Sequence, residues 1–275
     1  MSDAEDDSLG LGELIPEPPR PPTPPPTFVS YTRDLSLEQR RTGWTDLTIE
    51  LVGSHPLWGH YLWNAAKVCA SFIDKHSSRI CKDKTVLELG AGGALPSLVA
   101  LLDGAEKVVS TDYPDIALDR CRERNLQANV SEESGFRERF VSLPYLWGTP
   151  VAPLLERLGT DSEGKAKKFD LVIMSDLIFN HSQHAALLCT CSEALSPSLS
   201  PSPASEPPTT PCLLVFYTHH RPHLADRDMG FFRMAQEQGW DCQEILTEKM
   251  EAMFPDDPGD LEVRSTVHGW ILRRK

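Results

Sequence analysis

No stretch of this 275-residue chain is apolar for the roughly 20 consecutive residues that a membrane-crossing helix needs. Basic residues are in deficit: 27 Lys and Arg stand against 40 Asp and Glu, a formal net charge of −13. A nucleic-acid binder normally carries a basic face, so no nucleic-acid partner is expected, and the charge suits a basic partner instead. The cysteines lack a pattern. Seven of them, at positions 69, 81, 121, 189, 191, 212 and 242, are odd in number and irregularly spaced, so no disulfide framework is read. A secretory leader pattern is also missing, and the expectation is a reducing, cytoplasmic location with no membrane partner.

Two segments are too poor in apolar residues to fold. Residues 1–27 hold eight prolines and six acids against one arginine and read as an acidic, polyproline-prone tail. Residues 196–211 carry six further prolines among serines and threonines and read as an inserted surface loop. The rest, 28–275, is read as one domain in which strands and helices alternate. Strands are expected at 85–89, 108–111, 140–142, 169–174, 213–217, 242–246 and 263–273. Helices are expected at 62–74, 95–102, 117–125, 181–195 and 229–238. The runs FDLVIM (169–174) and LLVFY (213–217) are nearly continuous, as in strands buried on both faces. This order predicts an α/β fold, a doubly wound, mostly parallel sheet whose last two strands close as an antiparallel hairpin.

The densest information lies in Thr85–Asp112, TVLELGAGGALPSLVALLDGAEKVVSTD. An apolar run ends in Glu88, a glycine turn follows (Gly90, Ala91, Gly92, Gly93), then a helical pattern and a second apolar run ending in Asp112. That is the layout of a nucleoside-cofactor site at the carboxyl end of a parallel sheet. The glycines admit a close ligand, and the acid can accept two hydrogen bonds from a ribose diol. The pyrophosphate pattern G-x-G-x-x-G is broken, because Leu95 stands where the third glycine belongs and Pro96 follows it. Glu88 adds a charge that a phosphate would avoid. A cationic, phosphate-free cofactor, S-adenosylmethionine, suits the turn better, with Tyr113 placed to pack on its adenine.

Six motifs in order carry a resemblance: PLWGHYLWNAA (56–66), VLELGAGGALPS (86–97), VVSTDYPD (108–115), YLWG (145–148), SDLIFNH (175–181) and THHRP (218–222). The chain resembles the class I, seven-stranded methyltransferases of the lysine methyltransferase-like branch, over most of 28–275. Within that branch it is similar to the fungal type that methylates the N-terminal glycine and adjacent lysine of translation elongation factor 1-alpha. The resemblance implies that Trp63, Gly90, Ala91, Gly92, Asp112, Trp147 and Ser175 contact S-adenosylmethionine, and that the enzyme acts on a protein; a monomer is expected. Relatives in this branch often carry D-x-x-Y after the fourth strand, where this chain has Asp176-Leu177-Ile178-Phe179 and so no phenol.

Methyl transfer from a sulfonium to nitrogen needs alignment and a deprotonated amine. A protein α-amine (pKa about 7.7–8.0) is partly neutral near pH 7, whereas lysine (about 10.4) costs roughly 4–5 kcal/mol to deprotonate there. Asp176 is expected to hold the incoming ammonium, with Phe179 and Tyr217 offering cation–π faces and His220 a proton acceptor. The cluster His219, His220, His223 is not read as a metal site, since Cys189 and Cys191 fall two apart on an expected helix and point different ways. A small-molecule amine methyltransferase of the nicotinamide type, or a cofactor-binding protein without catalysis, remain alternatives that the pocket motifs do not separate.

Overall fold

Three runs, one of them with Glu88 inside it, become strands buried along their whole length, and they form the middle of a seven-stranded sheet. The structure, a computed structural model, describes residues 24–34, 43–197 and 209–274. Most of the acidic tail (1–23) and of the low-complexity insertion (198–208) lies outside the described residues. In chain order the strands are β1 (Thr27–Thr32), β2 (Asp46–Leu51), β3 (Thr85–Leu89), β4 (Lys107–Asp112), β5 (Phe140–Pro144), β6 (Leu171–Ser175), β7 (Cys212–Thr218), β8 (Trp240–Lys249) and β9 (Thr266–Arg274). The helices are α1 (Asn64–Ile80), α2 (Leu95–Leu102), α3 (Ile116–Asn129), α4 (Ala152–Leu155), α5 (His184–Ala194), α6 (Ala225–Glu237) and α7 (Leu261–Ser265).

The sheet runs β5-β4-β3-β6-β7-β9-β8. Pairs from β5 through β7 are parallel, and β9 is antiparallel to both β7 and β8. The expected α/β class, the parallel centre and the closing hairpin are all present. Side-chain alternation splits the core in two. Val86, Val108, Leu171, Ile173, Leu214 and Phe216 face the layer containing α1 and α2. Leu87, Val109, Val172, Met174, Val215 and Tyr217 face the layer containing α5 and α6. Chain order reverses between β3, which is followed by β4 and β5 on one side, and β6 on the other. That switch point is where a doubly wound sheet opens a crevice for a ligand.

Two features depart from the expectation. Residues 263–265, read as strand, form the end of α7, because the Asp260 carboxylate accepts the Glu262 and Val263 N–H groups and caps a helical turn there. A β1–β2 hairpin, not foreseen, packs Leu47, Ile49 and Leu51 into the α1/α2 layer. Two asparagines one turn apart on α3 pair with β2 as a neighbouring strand would. The Glu50 and Thr48 N–H groups donate to Asn125 and Asn129 (2.7 and 2.8 Å), whose side-chain amides return bonds to the same residues' carbonyls (2.8 and 2.9 Å). The exposed edge is thereby covered.

The hairpin is also pinned by a buried ion cluster. Arg33 donates to Asp74 on α1 (Nε, 2.8 Å; Nη2, 2.5 Å), lies 3.6 Å from Asp103 and stacks over Trp44 at 4.6 Å. Burial, and then the neighbouring Asp74 charge, push the Asp103 carboxyl up to about 7. Removing one partner of a buried pair strands the other. Asp74→Ala is therefore expected to lower the urea unfolding free energy by about 3–5 kcal/mol, far more than a surface carboxylate would.

Candidate active site

The glycine turn follows β3 directly. Gly90 and Gly92 sit at φ +63° and +51°, which glycine adopts without penalty. A Cβ at Gly90 would stand 2.5 Å from Leu177 and 3.2 Å from the Trp147 ring, so this glycine lets the turn, the segment after β5 and the segment after β6 meet. A Cβ at Gly92 would meet only the Gly59 carbonyl at 3.9 Å, so Gly92 fronts open space. Ala91 shapes the turn: its N–H donates to the Thr111 carbonyl (2.9 Å) and its own carbonyl accepts from Ala94 (2.6 Å). The Asp112 carboxylate is held by two backbone amides, Gly92 N on Oδ2 and Tyr113 N on Oδ1, each at 2.6 Å. Each oxygen retains a further lone pair for a ribose hydroxyl. Tyr113 is 47% exposed beside it.

Glu88 does not face this crevice as a charge. It is fully buried and turned to the start of α2, where Oε2 accepts both Ser97 N (3.0 Å) and Ser97 Oγ. Burial, partly offset by those bonds, pushes its carboxyl up to about 8, so near pH 7 it is largely neutral. The sequence reading of Glu88 as a counter-charge is corrected accordingly. Its effect on cofactor choice is nonetheless the same. A phosphate would dock on the first amides of α2, but Pro96 has none and the Ser97 amide is taken by Glu88. The residues therefore fit a nucleoside without phosphates, as S-adenosylmethionine is.

A second cluster of polar and aromatic side chains lies at the ends of β6 and β7. Ser175 ends β6, and Asp176 follows in the left-handed region at φ +59° with its N–H on the Phe216 carbonyl (2.7 Å). Its carboxylate, 4% exposed, accepts the Thr218 N–H (3.3 Å) and lies 2.9 Å from His220 Nε2. For His220, burial opposes protonation, but the Asp176 charge and hydrogen bond outweigh it and raise its pKa. Asp176 is thus engaged with His220 rather than turned out to meet a ligand. Trp63, at the N-cap of α1, sits with its ring 4.8 Å from that of His220. A cavity of about 250 Å³ opens here, lined among others by Trp58, Trp63, Phe179, His220, Phe254 and Asp257. Tyr217 is not among them. It is 2% exposed on the opposite face of β7, against Phe232 and His268, with its hydroxyl on Met229 Sδ (3.3 Å). The cation–π role expected of it is overturned.

One constellation has no counterpart in the sequence reading. Asp228, buried in the first turn of α6, lies 2.6 Å from His181 Nε2 with one oxygen and 2.6 Å from His219 Nδ1 with the other. It fastens the segment after β6 to the segment after β7, and within the first of these His184 at the start of α5 braces the loop, Nε2 to the Ile178 carbonyl at 2.6 Å. Adjacent His219 and His220 therefore serve different carboxylates. Cys189 is exposed and Cys191 buried, and no group of three or more metal-ligating side chains is gathered among the described residues.

Residues 45–236 match the family model described as lysine methyltransferase. The chain belongs to the lysine methyltransferase family. It is 44% identical, over 98% of its length and 90% of the relative, to the protein N-terminal and lysine N-methyltransferase EFM7 of Cryptococcus neoformans. To the Schizosaccharomyces pombe protein of the same name the identity is 42%, over 99% of this chain and 98% of that one. In shape it is similar to a candidate S-adenosylmethionine-dependent methyltransferase from Streptococcus mutans, with a TM-score of 0.52 at 13% identity over 82% of this chain and 53% of the other. It is similar also to a candidate RNA methyltransferase from Pyrococcus horikoshii, with a TM-score of 0.50 at 19% identity over 80% and 88%. At those identities the shared feature is the fold. The family makes this chain a methyltransferase with S-adenosylmethionine as methyl donor.

Gly92→Ala places a methyl group in the open space of the turn without a clash, at the modest cost of a side chain at φ +51°. It is expected to weaken S-adenosylhomocysteine binding at least about tenfold, or 1.4 kcal/mol, while the melting temperature holds within a few degrees. Gly90→Ala, which collides with Leu177, is expected to lower both. Calorimetric titration and thermal melts of the two variants separate the effects.

Proposed function

We propose that this enzyme methylates the N-terminal amine and the adjacent lysine of translation elongation factor 1-alpha. The observation that carries the substrate class is the near full-length similarity to enzymes named for N-terminal and lysine methylation, joined to a cavity at the ends of β6 and β7. In this reading Gly90, Ala91, Gly92, Asp112, Tyr113 and Trp147 hold the nucleoside, and Ser175 and Trp63 stand toward the reacting end. When bound, S-adenosylmethionine supplies an activated methyl carbon. The chain supplies alignment, dry walls and a proton acceptor.

His220 is that acceptor. With Nε2 engaged by Asp176, Nδ1 is the atom free to take a proton from the incoming ammonium, and the carboxylate stabilises the imidazolium that results. Asp176 therefore acts on the amine through His220. An α-amine loses its proton near neutrality and is the easier acceptor; lysine needs the same relay to do more. A chain of net charge −13 also favours approach of a basic protein.

Since His220 must be neutral to accept a proton and its pKa is raised above the ordinary 6.5, kcat is expected to climb with pH beyond that value. In His220→Gln the climb should be lost and kcat should fall by about 100-fold, the low end of general-base contributions. The direct check of the substrate is intact-mass analysis of elongation factor 1-alpha incubated with the enzyme and donor. Methyl additions at the first two residues support the proposal. Methylation of nicotinamide with the protein left unmodified would replace it by the small-molecule reading.

A further inference from the structure

Trp58 is an anomaly of the fold. It is a bulky residue held in the left-handed region, φ +64°, 41% exposed, with its ring stacked near those of His60 and Tyr61. Its ring is one of three set edge to face around a corner of the cavity. Trp58–Trp63, Trp58–Phe254 and Trp63–Phe254 stand at 63°, 67° and 69°, with centroids 6.5, 6.3 and 6.0 Å apart. The Phe254 segment is fixed on both sides. Asn64 Nδ2 donates to the Glu251 carbonyl (2.7 Å), and buried Arg264 donates to the Phe254 carbonyl (2.6 Å). The Asp257 N–H closes a turn on the same carbonyl (3.2 Å), which brings a carboxylate to the cavity wall beside the ring.

Charge alone does not make this corner select a cation. Asp228 and Asp257 among the lining residues are balanced by Arg221 and Arg227. Three π faces remain as the feature that discriminates. Each methyl added to an amine replaces an N–H donor by an apolar group, which loosens its hold on water and suits it to aromatic faces. We propose that Trp58, Trp63 and Phe254 form a methylammonium-binding corner that makes the enzyme prefer amines already bearing methyl groups, and so drives successive transfers to one nitrogen. This rests on the reading of the acceptor as a protein amine.

The chemistry balances at each round. The amine lone pair forms the new C–N bond as the C–S bond breaks, its electron pair returning to sulfur to leave S-adenosylhomocysteine. The new ammonium then gives one proton to His220 and water before the next round. After the third transfer no proton remains, and the product is a permanent cation. A corner that binds it well also slows its release, so the last state is expected to accumulate on the enzyme.

Two measurements on the full chain, saturated with S-adenosylhomocysteine or donor, test this. Tetramethylammonium chloride, followed by indole NMR shifts, is expected to bind at least about tenfold more tightly than ammonium chloride, and Trp58→Gly and Phe254→Leu should abolish the difference. With N-terminal peptides of elongation factor 1-alpha, kcat/KM for the dimethylated form over the unmethylated form should fall at least fivefold in both variants. Trp58→Gly relieves the φ strain but also loses the ring contacts with His60, Tyr61, Trp63 and Phe254, so Phe254→Leu serves as the independent variant. Tetramethylammonium binding without methylation of any peptide would keep the corner and remove the protein-amine reading. Peptide methylation with an unchanged state ratio in both variants would overturn the corner and leave the proposed function standing.

Discussion

The Asp176 carboxylate is the joint on which the ends of β6 and β7 turn. It leaves β6 on a left-handed residue, takes an amide from β7 and holds His220, so one buried charge sets the relative position of two strand ends and of the imidazole between them. Asp228 repeats the arrangement one layer outward with His181 and His219. Two buried acids, each serving neighbouring loops, make the rim above β6 and β7 a set surface, on which aromatic side chains are presented. Buried polar groups of this kind are costly unless fully partnered, and they confer geometry in return.

The donor side is built on a different principle. Its geometry comes from backbone: positive φ at Gly90 and Gly92, open space at Gly92, and an Asp112 carboxylate held by main-chain amides. The one side chain there that looked electrostatic, Glu88, is structural. It finishes the first turn of α2 by taking the Ser97 amide, next to Pro96, which has none. The start of the helix is thus poorly suited to a phosphate.

Much of this was legible in the residues. Continuous apolar runs marked β6 and β7, and the glycine turn with Asp112 beyond it marked the switch point, because both signals are local. What was hidden depends on pairing at long range. The β1–β2 hairpin is held by asparagines on α3 that lie more than 70 positions away. Tyr217 could not be assigned a face, since a strand buried on both sides shows no alternation to read. Phe216 and Tyr217 consequently fall in different layers. The same holds for His219 and His220: adjacent in sequence, they answer to acids on α6 and after β6. Trp58 and Phe254 are nearly 200 residues apart, and only the closed fold shows that they share a corner.

The relation between Asp176 and His220 carries the proposed mechanism, and a double-mutant cycle measures it directly. Single-turnover methylation of the elongation factor 1-alpha N-terminus would be compared in the parent, Asp176→Asn, His220→Gln and the double variant. If Asp176 acts through His220, the double variant is no slower than the slower single variant, because the second loss removes nothing further. Multiplied losses in the double variant would contradict this, and would show Asp176 meeting the amine on its own.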